Sequence, residues 1–89
     1  MIAARLYLIS GRVHGVGFRF FAQAAAAREG VHGFVRNLPD GRVEISAEGD
    51  REALDRFERQ IWHGPPSARV EAVEVTEGMP AGKSGFAIR

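Results

Sequence analysis

The first apolar run is unbroken. Leu6-Tyr7-Leu8-Ile9 puts Leu6 and Leu8 on one face of an extended segment and Tyr7 and Ile9 on the other. Apolar side chains on both faces suit a central strand, and Arg5 to Val13 is predicted as that strand. Phe18, Phe21, Ala22 and Ala25 then recur at helical spacing and make one buried stripe. Ala24 to Ala27 favour helix, so a helical run is expected from Phe20 to Arg28, with Gly30 as its C-terminal cap. Val31 to Asn37 reads as a second strand. Leu38-Pro39-Asp40-Gly41 is a turn, because Pro fixes φ and Asp-Gly tolerates tight backbone. Arg42 to Glu48 alternates: Val43, Ile45 and Ala47 face in, while Arg42, Glu44, Ser46 and Glu48 face out. Gly49-Asp50 opens a second helix with Asp50 as N-cap. Leu54, Phe57 and Ile61 form its buried stripe, and Gly64-Pro65 stops it. Val70 to Thr76 is a fourth strand, with Val73 and Val75 on one face. Gly78 to Gly82 is a loop, and Gly85 to Arg89 a short last strand.

This order predicts an α+β fold, a ferredoxin-like βαββαβ plait with a short C-terminal strand added. Two helices would cover one face of an antiparallel sheet. A helical crossover joins the first two strands, so they run in the same direction, with the third returning between them. The residues just after strand one and at the end of strand two therefore meet at one sheet edge. Those residues include Arg19 and Asn37.

Composition changes this picture little. Residues 1–89 make one domain. A net charge of +1 gives no strong field toward nucleic acid or a membrane surface. An RNA-binding plait would need aromatics on the open sheet face and a basic surface. The third strand has no aromatic and carries Glu44 and Glu48, and Tyr7 alone is a poor stacking platform. There is no Cys, so disulfides and thiolate metal sites are excluded. His14, His32 and His63 are scattered without a paired carboxylate pattern, and no metal is expected. The run Leu6 to Ser10 is too short and broken for a signal peptide or membrane span, and the chain is expected to be soluble and cytoplasmic.

The chemistry concentrates between the first strand and the first helix. Gly11, Gly15 and Gly17 let the backbone turn successive N–H groups into one concavity that takes an anion. The helix start adds free amides and the positive end of its dipole. Arg19 adds a planar fork of donors suited to phosphate. The spacing is not that of the common nucleotide loops. Gly11 is followed five residues on by Val16 with no Lys nearby, and Gly15-x-Gly17 meets Phe20 where a third glycine would stand. From turn chemistry alone, a phosphate cradle and a plain glycine-rich turn both stand. Arg19 is likewise either an anion ligand or a surface cation at the unfavoured end of a dipole. Asn37 before a turn is commonly a turn residue.

The run Gly11-x-Val13-x-Gly15-Val16-Gly17-Phe18-Arg19 resembles a signature of the acylphosphatase family. The block from Gly33 to Glu44, the segment Gly64 to Val70 and the terminal Gly85 to Arg89 resemble it too, so the likeness covers essentially the whole chain. His14 stands where that family usually carries Gln. The resemblance implies hydrolysis of carboxyl-phosphate anhydrides such as acetyl phosphate, 1,3-bisphosphoglycerate or carbamoyl phosphate. It implies that His14, Gly15, Val16, Gly17, Phe18 and Arg19 bind the phosphate and that Arg19 and Asn37 are the catalytic pair, Asn37 orienting a water. No cofactor, metal or covalent intermediate is implied. A monomer, with inorganic phosphate as product inhibitor, is expected. The alternative is a non-catalytic plait that binds phosphate or another small ligand without turning it over.

Overall fold

The computed structural model describes residues 1–89. Its elements are β1 (Ile2–Arg12), α1 (Phe18–Glu29), β2 (His32–Asn37), β3 (Val43–Asp50), α2 (Arg51–His63), β4 (Arg69–Gly78) and β5 (Phe86–Ile88). The expected order holds throughout. β1, β3 and β4 run longer than the apolar pattern, whereas β2 and β5 are shorter than expected: β1 begins at Ile2, and β3 continues through Gly49 because Ala3 pairs with Gly49. A ladder needs backbone partners, not apolar side chains, so polar and small residues extend it.

The five strands lie in the order β4-β1-β3-β2-β5. β1 is an interior strand; Tyr7 and Ile9 are buried under the helices, while Leu6 and Leu8 on its other face are only half-buried. It pairs antiparallel with β3 and with β4. The sheet is not wholly antiparallel: β5 pairs parallel to β2, Gly33 opposite Phe86 and Val35 opposite Ile88. The chain leaves β4 at one edge and must reach the other, and the crossing segment reverses its direction.

That segment also corrects the expectation for Glu48. Alternation puts Glu48 on the face away from the helices, but the chain passes over it and leaves it buried. Its carboxylate accepts from the amides of Ala81, Gly82 and Lys83 at 2.9, 3.0 and 3.2 Å. The bond from Ala81 leads in holding its pKa below the ordinary range, against desolvation.

The core lies between sheet and helices. Tyr7 and Ile9 of β1, Val35 of β2, and Val43, Ile45 and Ala47 of β3 are buried there. Ala22, Ala25 and Ala26 of α1 and Leu54, Phe57 and Ile61 of α2 close over them. Burying each large side chain contributes about 1.5–3 kcal/mol. Phe21, expected in the α1 stripe, is only half-buried, and Ala26 takes its place. Val73 and Val75 do share the helix face, but on edge strand β4 Val75 stays exposed. Arg5 is a surprise: it is buried on the same face as Tyr7, held by Asp55 at 2.9 Å, Glu58 at 3.2 Å and Glu77 at 3.4 Å.

Candidate active site

Gly17 precedes α1 with φ 78° and ψ 20°, a left-handed conformation, and offers no side-chain cap. The first turn of α1 contains no acidic residue. Outside the helices and strands, the only backbone hydrogen bond that the stretch 14–21 takes part in is Phe21 N to Gly17 O at 3.0 Å. A helix begins with orphan amides that usually find a side-chain acceptor. Here they stay free. Gly15 and Gly17 hold positive φ and face open space, with no heavy atom within 4 Å of where a Cβ would stand. Gly11 belongs to another feature: with φ 124° it faces a bulge in β4, where Glu71 is the extra residue, and a Cβ on it would lie 2.1 Å from Arg69 O.

Arg19 sits in that first turn, half-buried. It takes part in none of the ion pairs that tie Arg5, Arg36, Arg42 and Arg56 to carboxylates. Its partner is the main-chain oxygen of Arg89 at 3.5 Å, at the long end of hydrogen-bond distance. Arg89 follows directly on β5, and the sequence pattern gave no sign of this contact.

Asn37 ends β2, opposite Val43. The turn after it is closed by other groups. Asp40 accepts from Arg42 N at 3.0 Å and Arg42 Nε at 2.8 Å, and Leu38 N donates to Arg42 O at 2.8 Å. The backbone bond from Arg42 leads in holding the Asp40 pKa down. The carboxamide of Asn37 is therefore not consumed by the turn. Arg42 O accepts a second bond, from His14 Nε2 at 2.8 Å. A carbonyl only accepts, so the hydrogen is on Nε2. His14 thus ties the glycine loop to the turn that carries Asn37.

Both parts meet. A cavity of about 100 Å³ is lined by Val13, Gly15, Gly17, Phe18, Arg19, Phe20 and Asn37. The topology brings Arg19 and Asn37 to one cavity, as the parallel β1 and β2 required. Of the predicted phosphate-binding residues, Gly15, Gly17, Phe18 and Arg19 line it, whereas His14 and Val16 do not. Val16 packs against the core. Phe20 lines the cavity and had no sequence signal beyond its place next to Arg19. A larger open groove of about 500 Å³ lies between the helices, lined by Arg28, Glu29, Arg56 and Gln60 among others. Those side chains satisfy one another, Arg56 with Glu29 at 2.7 Å and Arg28 with Gln60 at 2.6 Å. The small cavity, by contrast, contains no carboxylate. No group of three or more His, Asp or Glu is arranged to hold a metal ion. No helix is long and apolar enough to cross a membrane.

Residues 5–88 match the family model described as acylphosphatase. An acylphosphatase of Thermus thermophilus is 56% identical over 79 residues, covering 89% of this chain and 90% of the relative. One of Anaeromyxobacter dehalogenans is 52% identical over 89 residues, covering 99% of this chain and 95% of the relative. The crystal structure of the acylphosphatase from Bacillus subtilis superposes with a TM-score of 0.94 at 41% identity, covering 100% of this chain and 99% of that one.

Proposed function

The chain belongs to the acylphosphatase family and is a hydrolase acting on acyl phosphates, and we propose that the cavity of Arg19 and Asn37 is where it acts. The amides of residues 15 to 19 and the Arg19 guanidinium hold the phosphoryl group. The Asn37 carboxamide holds the attacking water, its oxygen accepting one of the water's hydrogens, and so fixes the line of attack. The water oxygen forms the new bond to phosphorus as the bond to the acyl oxygen breaks. The carboxylate leaves with its electron pair, and the water proton passes to a phosphoryl oxygen. A carboxylate is a good leaving group, so no protein acid is needed. Catalysis is positioning and charge stabilisation. His14 serves this reading as a brace between the loop and the Asn37 turn rather than as a phosphate ligand.

The observation that carries this reading is the juxtaposition of free helix-start amides, an Arg paired with no Asp or Glu, and an Asn released from its turn, all around one small cavity. Residues 1–89 act as one domain. In this reading the protein acts as a monomer and works without metal in the cytoplasm. Purified protein with acetyl phosphate and excess chelator should release inorganic phosphate at an undiminished rate, and added phosphate should inhibit competitively. Activity lost to the chelator and restored by Mg²⁺ or Zn²⁺ would overturn the metal-free mechanism. Phosphate binding without turnover would instead favour the non-catalytic module.

A further inference from the structure

We infer that Phe20 is the platform on which the acyl group of the substrate packs, and that it biases the enzyme toward acyl phosphates with large apolar or aromatic acyl groups. This rests on the hydrolase reading of the cavity and adds the specificity that reading leaves open.

The argument begins with size. The cavity is small, about 100 Å³. A phosphoryl group seated against the amides and Arg19 takes up its inner part, and the acyl group continues toward solvent. Once the phosphoryl group is seated against the amides and Arg19, the acyl group must lie over the mouth. The lining residues then sort by what they offer there. Gly15 and Gly17 have no side chain. Val13 and Phe18 are buried, their surface already spent on the core. Arg19 and Asn37 present polar groups. Phe20 alone combines a large apolar side chain with exposure: 67% of it is accessible, although it follows Arg19 directly and lines the same cavity.

Position on α1 explains why it is free. Phe18 and Ala22 turn into the core, which leaves position 20 off the buried stripe. Its ring makes no aromatic contact within the chain, whereas Phe18 pairs with Phe21 at 6.1 Å. An aromatic face that water now covers gains most from a flat apolar group laid on it, and little from a methyl.

The test compares benzoyl phosphate with acetyl phosphate for the parent, Phe20→Ala and Phe20→Leu, with inhibition by inorganic phosphate measured alongside. Phe20→Ala should lose about five- to tenfold in kcat/KM for benzoyl phosphate, mainly through KM, and only about two- to threefold for acetyl phosphate. Phosphate inhibition should hold within about twofold, and Phe20→Leu should fall between. An equal loss on both substrates, or weakened phosphate inhibition, would show that Phe20 supports the cradle instead and overturn the inference. Unchanged selectivity would overturn it too. A parent protein that turns over neither substrate would break the underlying reading, a result distinct from any of these.

Discussion

The two helices of this fold begin in opposite ways. α2 starts on Asp50, whose side chain accepts from Glu52 N at 3.3 Å, and Glu52 adds negative charge to the first turn. Every tendency of a helix start is met there by the chain itself. α1 starts on a left-handed glycine with no cap, no acid and an Arg in its first turn. The same contrast separates the arginines. Arg5 is buried among three carboxylate side chains, while Arg19 has a single long contact to the main-chain oxygen of Arg89. Where the molecule satisfies its own charges it is building structure. Where it leaves amides and a cation unanswered is where the proposed phosphate site lies.

The largest effect should come from the unanswered cation. Arg19→Gln should lower kcat/KM by about 10²–10³ and weaken phosphate inhibition in parallel, because one charge-assisted fork serves both. Arg19→Lys should fail to restore either, since a point charge does not replace a planar fork. Near-parental phosphate affinity in the Gln variant would place the anion elsewhere and dissolve the contrast.

A smaller effect, and a sharper one, is expected at Asn37. Asn37→Ala should cut kcat by up to about 10² while phosphate inhibition stays within a few-fold, because the water loses its orientation and the cradle is untouched. The fold should tolerate the change, since Asp40 and Leu38 close the turn without Asn37. Steady-state kinetics decide it: phosphate affinity falling in step with kcat would put Asn37 among the anion ligands.

The smallest effect tests the other helix. Asp50→Ala should lower Tm by a few degrees and leave kcat alone. The Met1 ammonium, 3.0 Å away, is the main cause that holds the Asp50 pKa below its ordinary 3.8. A carboxylate with a lowered folded pKa stabilises above its unfolded value and loses that contribution as pH falls through the folded one. The Tm difference between parent and variant should therefore be full near neutrality and shrink below about pH 3.8. A difference that grows in acid would rule out this cap.

Much of this was legible in advance for physical reasons that can be named. The apolar run Leu6 to Ile9 suits an interior strand, and β1 has a partner strand on each side. The stripe Leu54, Phe57 and Ile61 is fully buried, because one-sided apolar spacing on a helix has only one way to leave water. Asp50 caps as its residue type favours. What failed to show in the pattern involves contacts distant in sequence. Glu48 alternates outward like Glu44, and nothing local says that residues 81 to 83 will fold over it. Arg5 looks like an ordinary surface cation until α2 and β4 bring it three carboxylates.

The sequence by itself determined the order of elements, the glycine loop ahead of α1, and the meeting of Arg19 with Asn37. Each follows from local backbone chemistry or from the direction imposed by one helical crossover, and none depends on the detail of packing. Only the tertiary structure decided that β5 runs parallel beside β2 and that the following Arg89 reaches Arg19 with its main-chain oxygen. It alone turned His14 toward Arg42 O rather than the cavity, and left Phe20 at the mouth while Phe18 went into the core. Side-chain partners are chosen by which groups the whole chain brings within about 3 Å, and that separation is a property of the assembled fold.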